Sequence, residues 1–183
     1  ERRRFMDMEL SQLDKIYLSN LINYNKVVNQ RNKLLKELSF KSSEEKLETL
    51  DIWDLQLVKY GTEVMKRRVG FVQELNEIIG GLHEKLSGGT EKLTIEYQPC
   101  VEETAFLDTV TKMRERDLRM KSTCFGPHKD DLIFFINGSE VKKYGSQGQQ
   151  RTAALSLKLA EIELVKKVVK DTPVLLLDDV LSE

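Results

Sequence analysis

The chain has 183 residues, 40% hydrophobic and 32% charged with 7% aromatic, which is enough for a core in one ordinary domain or two small ones beneath a large solvated surface. A formal net charge of -1 excludes a general polycation, so contact with nucleic acid would need a local basic patch. Two cysteines, Cys100 and Cys124, are too few for a disulfide framework, and no apolar run is long enough for a helical membrane span. A reduced, cytoplasmic setting is therefore expected, and no signal peptide is visible. The chain opens on Glu1 rather than methionine, and an internal piece of a longer protein is expected.

No proline occurs before Pro99, whereas Pro99, Pro127 and Pro173 punctuate the remainder of the chain. That shift predicts a helical part over 1–90 and a second part over 91–183. In the first part, Leu10, Leu13, Tyr17, Leu21, Tyr24, Val28, Leu35 and Leu38 recur at helical steps around a polar Arg31, and predict one amphipathic helix. Phe40-Lys41-Ser42-Ser43 breaks the row, and Ser43 offers the next start. Leu50, Trp53, Leu57, Tyr60, Val64, Phe71, Leu75, Ile78, Leu82 and Leu86 form a second row, with Trp53 expected in the core. Gly61 and Gly70 each weaken it by roughly 1 kcal/mol relative to alanine, so a bend or split is expected, and Gly88-Gly89 ends it. Two such rows joined by a short polar loop predict an antiparallel helical arm, with a reach of ~60 Å for ~40 helical residues. A compact helical bundle would carry the same rows.

In the second part, the alternation over 93–97 predicts a strand. A helix over 102–120 comes next, with Phe106, Val110 and Met113 on one side. Residues 124–128 are a break. Residues 131–136 are β-rich, Asn137-Gly138 signals a tight turn, and 141–144 is the expected returning strand. A third helical row, Leu155, Leu159, Ile162, Val165 and Val169, runs to Asp171-Thr172-Pro173. The all-aliphatic 174–177 then predicts a buried, central strand, making this part mixed α/β.

The chemistry sits at the two ends of that last helix–strand unit. The strand delivers Asp178 and Asp179 to its C-terminal tip, where α/β sheets bind ligands. Carboxylates there suit a Walker B role, the first holding Mg²⁺ and the second polarising an attacking water; a solvated strand end would look the same. At the helix start, Ser146-Gln147-Gly148-Gln149 offers a hydroxyl, backbone N–H groups and the positive end of a helix dipole, all suited to a terminal phosphate. Ser146 is equally an ordinary N-cap. The conjunction of the two motifs carries the assignment to a nucleotide-binding head.

Other features are weaker. His128, Asp130 and Asp131 of Gly126-Pro127-His128-Lys129-Asp130-Asp131-Leu132 could ligate a metal, but acids after a proline also make a common strand entry, and the structural role is preferred. No Cys/His spacing supports zinc. Arg2-Arg3-Arg4 and Lys66-Arg67-Arg68 could touch phosphates, or form solvated helix faces.

Ser146-Gln147-Gly148-Gln149-Gln150 resembles the LSGGQ signature of ABC-type ATPases, and the LLLDD run ending at Asp179 resembles their Walker B. More narrowly, SQGQQRT, LAEIEL at 159–164, PVLLLDDVLSE, GPHKDDL and the opening ERRRFMD are similar to the RecF family, whose head is related to SMC proteins. The resemblance runs from end to end. It implies an α/β ABC/SMC-like ATPase head, of which this chain holds the C-terminal lobe, with an inserted antiparallel helical arm. It also implies that Ser146, Gly148 and Gln149, with Gln147 among them, contact the γ-phosphate of ATP held by the opposite protomer. Asp178 takes the Mg²⁺ position and Asp179 the catalytic-base position. Gln147 replaces the first glycine of the general signature, and Asp179 replaces a glutamate, which is compatible with slow turnover.

The family further implies DNA binding to single strands and duplex at gaps, an ATP-dependent homodimer, cooperation with RecO and RecR, and loading of RecA in recombinational repair, the SOS response and replication restart. Weak ATPase activity is expected of the intact dimer. No G-x-x-x-x-G-K-[ST] segment occurs in these 183 residues, so they are expected to bind ATP weakly or not at all by themselves. The rival readings are a non-catalytic coiled-coil interaction module and another SMC-like DNA-organising ATPase.

Overall fold

The computed structural model describes residues 2–40 and 43–169. The predicted strand at 174–177, Asp178 and Asp179 lie outside the described residues. The chain divides into two compact units, each assembled from two separated segments: Glu1–Gln73 with Ile95–Ile133, and Glu74–Thr94 with Phe134–Glu183.

The first unit begins with α1 (Arg2–Leu13) and α2 (Lys15–Leu38). The single helix expected across Leu10 to Leu38 is thus interrupted. Asp14 adopts an extended backbone, and its carboxylate accepts the N–H groups of Ile16 and Tyr17, both at 2.9 Å. A short acidic side chain that competes for backbone donors favours a cap over helix continuation. The long helix α3 (Glu44–Leu86) is unbroken, so the split expected at Gly61 or Gly70 does not occur. Ser43 caps its start through Lys46 N–H at 3.4 Å, and Gly88 and Gly89, both at positive φ, come after its end. Leu34, Leu35, Leu38 and Leu50 form one core cluster, against which Trp53 packs half-buried.

Arg31, the polar interruption of the first row, is completely buried. Its guanidinium meets Asp54 and Asp117, each at 2.6 Å, and Thr123 Oγ1 at 3.0 Å. Its burial is possible because two carboxylates from distant segments neutralise it; an unpaired buried charge would cost several kcal/mol. The helix expected over 102–120 is in fact a 3₁₀ turn, Glu103–Ala105, followed by α4 (Phe106–Lys112) and α5 (Arg114–Met120). Met113, expected on the buried side, is 40% exposed at the joint.

Strands β1 (Leu93–Gln98), β2 (Asp131–Ile136) and β3 (Ser139–Glu140) lie in that order in one sheet. The β2–β3 pair is antiparallel with Ile136 opposite Ser139, and the two-residue turn Asn137-Gly138 has both φ values positive, as the Asn-Gly signal predicts. The returning strand is shorter than expected. Residues 141–144 form the helical turn α6 (Val141–Tyr144), because only Val141 has a buried face to fill while Lys142, Lys143 and Tyr144 are exposed.

Helix α7 (Gln147–Val169) belongs to the second unit. Its most buried row is Ala153, Ser156, Ala160 and Leu164, whereas Leu155, Leu159, Ile162 and Val165 are half-buried. The expected apolar row is therefore offset from the contact face, which is formed by three small side chains and Leu164. Among the described residues no helix is long and apolar enough to cross a membrane.

Candidate functional site

The turn Ser146–Gln149 stands at the exposed start of α7. Gly145 precedes it and is close-packed: a Cβ there would lie 2.6 Å from the Val141 carbonyl oxygen. Ser146 Oγ accepts the Gln149 N–H at 3.1 Å, and the Gln149 side-chain oxygen accepts the Ser146 N–H at 2.9 Å. This reciprocal pair is a capping box, and the first intrahelical bond is next, Gln150 N–H to the Ser146 carbonyl at 3.0 Å. The bland expectation, an N-cap at Ser146, and the functional one are thus compatible. Once Oγ has accepted a bond, the Ser146 hydroxyl keeps its proton to donate. The N–H groups of Gln147 and Gly148 fall in the first turn, where no intrahelical acceptor exists.

Gly148 keeps the face of this turn bare. A Cβ there would have only Ser146 Oγ near it, at 3.8 Å. Ser146, Gln147 and Gly148 are exposed, and Ser146, Gly148 and Gln149 line an open depression with Ser87, Thr90, Glu91 and Thr152. A donor hydroxyl, two free-facing N–H groups and a helix N-terminus make a set suited to a phosphate oxygen. Of the predicted site residues, the structure brings these four together. Among the described residues no group of His, Cys, Asp and Glu could hold a metal ion; Asp178 and Asp179 fall outside them.

Two residues beside the turn carried no sequence signal. The Gln149 amide nitrogen donates to Glu91 Oε1 at 2.8 Å, and Glu91 Oε2 faces His83 Nε2 at 3.1 Å. His83, expected as a residue of the arm, is buried, and its Nδ1 lies 2.9 Å from Ser156 Oγ.

Several of the weaker candidates make contacts within the first unit, while Arg4 and Lys66 are exposed. Asp130 is buried and accepts Cys100 N–H at 2.8 Å, the Tyr97 hydroxyl and Arg68 Nη1. Arg68, one of the basic residues considered for phosphate contact, is 1% exposed; it also donates to Asp7 at 2.7 Å and to the Pro127 carbonyl at 2.7 Å. Arg2 pairs with Asp131, and Arg3 donates to the Asp130 carbonyl at 3.0 Å. His128 Nε2 donates to the Thr123 carbonyl at 2.9 Å, which leaves Nδ1 to accept the Tyr24 hydroxyl at 2.6 Å. Burial holds the His128 pKa below its ordinary value and pushes that of Tyr24 well above its own.

No protein-family model matches the chain. All 183 residues align with proteins named DNA replication and repair protein RecF, at 65% identity for that of Lachnospira eligens and 61% for that of Lachnoclostridium phytofermentans. Each alignment covers 100% of this chain and 50% of the relative. The fold is similar to a solved structure of the recombination mediator protein RecF-ATP in the RecFOR pathway, with a TM-score of 0.91 and 37% identity over 99% of this chain and 50% of that one. The chain spans about half the length of the curated relatives it matches.

Proposed function

The chain belongs to the RecF family along its whole length, with the fold of an ABC/SMC-like ATPase head bearing a helical arm, and on that premise we propose that it supplies the signature half of a DNA-repair ATP switch. In this reading residues 1–90 serve as the arm and residues 91–183 as the C-terminal part of the head. Ser146, Gln147, Gly148 and Gln149 cap the γ-phosphate of ATP bound by a second head. Asp178 takes Mg²⁺ and Asp179 orients the attacking water for the nucleotide of its own head. Dimerisation and chemistry are then coupled, because each nucleotide is enclosed by two protomers, and slow hydrolysis resets the clamp. DNA at single-strand gaps, RecO and RecR are the partners this switch would serve, with RecA loading as its outcome.

The observation that supports the reading is the turn itself: an exposed capping box whose hydroxyl proton and first two N–H groups have no acceptor among the described residues, while Gly148 leaves their face uncovered. The test is Ser146→Arg in the full-length protein, which places a long side chain across that face. ATP-dependent dimerisation, followed by light scattering with and without nucleotide, should be lost while ATP binding by the monomer is retained. Dimerisation at the parent level would refute the reading.

A further inference from the structure

Glu91 lies in the loop after α3 and is not one of the residues that the signature or Walker B motif marks. Its carboxylate nevertheless divides between two partners: Oε1 receives the Gln149 amide nitrogen at 2.8 Å, and Oε2 faces His83 Nε2 at 3.1 Å. A glutamine amide has two ends of nearly equal shape and opposite hydrogen-bonding character. In the capping box the oxygen end must meet the Ser146 N–H, and a flipped amide would set two donors against each other. An ionised carboxylate accepts only, so Glu91 admits the nitrogen end of Gln149 and sends the oxygen end to Ser146.

The carboxylate is itself held. His83 is 0% exposed on its side chain, against 21% for Glu91. Its other ring nitrogen meets Ser156 Oγ at 2.9 Å; with Nε2–H donating to Glu91, Nδ1 is left to accept the Ser156 hydroxyl. The chain of contacts Ser156–His83–Glu91–Gln149 thus runs from the buried face of α7 out to the turn at its start. Every member belongs to the same unit of the chain.

We propose that Glu91, backed by His83, is a positioning residue that fixes the Gln149 amide and so presets the signature turn for the γ-phosphate of a second head. The proposal rests on the reading of Ser146–Gln149 as the phosphate-facing turn. Preorganised donors act without a reorganisation cost when the ligand arrives, and the residues that orient a primary contact govern its effectiveness.

The experiment uses the full-length protein with ATP and Mg²⁺. Glu91→Ala should weaken ATP-dependent dimerisation about tenfold, the scale of one lost charge-assisted hydrogen bond. ATP affinity of the monomer, which does not use this turn, should hold. Glu91→Gln retains an amide oxygen for Gln149 and should restore most of the dimerisation. Parent-level dimerisation by Glu91→Ala overturns the proposal, as does a defect that Glu91→Gln fails to restore. Ser146→Arg measured alongside separates the two levels. If it abolishes dimerisation while Glu91→Ala does not, only the positioning role fails; if both dimerise like the parent, the phosphate-facing reading fails first.

Discussion

At Tyr24 and His128 the interior of the first unit depends on which groups carry protons. The imidazole donates from Nε2 to the Thr123 carbonyl and accepts the tyrosine hydroxyl at Nδ1, an arrangement of the neutral ring. Burial holds its pKa below the ordinary 6.5. As pH falls, the unfolded chain therefore takes up the proton before the folded one does. The contribution to stability is complete above 6.5 and is lost as pH drops through the lower folded value. Thermal unfolding followed from about pH 7.5 to about pH 5.5 should show a falling midpoint. In His128→Gln, where the substituted side chain does not titrate, the decline should be shallower. Equal slopes in the two proteins would show that His128 does not carry the acid sensitivity.

At the scale of elements, the long helix α3 shows how space overrides propensity. Gly61 ought to weaken it, yet the helix runs unbroken, and a Cβ at Gly61 would lie 2.6 Å from Phe106 Cε1 and 3.0 Å from Tyr24 Cε2. Alanine there gains roughly 1 kcal/mol of helix propensity against an overpacking cost of about 1–3 kcal/mol. Gly61→Ala should therefore destabilise by about 1 kcal/mol, whereas Gly81→Ala, with nothing within 4 Å of the added atom, should stabilise by about 0.5–1 kcal/mol. Urea unfolding midpoints at constant slope test the pair. The same contrast separates the legible features from the rest. The Asn137-Gly138 turn, the helical rows of α2 and α3 and the Ser146 turn are local signals, and the structure contains each of them. Arg31 looked like a polar interruption, and Arg68 like a phosphate contact or a solvated helix face, because their burial depends on partners far along the chain, Asp117 lying 86 residues from Arg31. Helix α7 misled for a related reason: its contact face is built of Ala153, Ser156 and Ala160, small residues that apolar periodicity passes over.

For the whole molecule, the arrangement of motifs predicts that these 183 residues are a partial nucleotide site. They contain the Ser146–Gln149 turn proposed as the signature and two candidate Walker B acids, but no phosphate-cradling P-loop sequence. The described turn offers one hydroxyl and two backbone N–H groups on an exposed helix end. At about 1.5 kcal/mol for each charge-assisted contact, the turn supplies roughly 4–5 kcal/mol before the entropy of association is charged against it. An affinity of millimolar or weaker is the consequence. Titration calorimetry of the 183-residue polypeptide with ATP and Mg²⁺, on a sample that shows a cooperative unfolding transition, should accordingly give no saturable heat at micromolar nucleotide. Micromolar binding would mean that these 183 residues hold a complete phosphate cradle, and would overturn the view that the turn acts on a nucleotide bound elsewhere. If binding is absent here but appears in the full-length protein and survives Ser146→Arg there, the nucleotide's primary contacts lie outside this turn, which is then left the task of closing one head upon another.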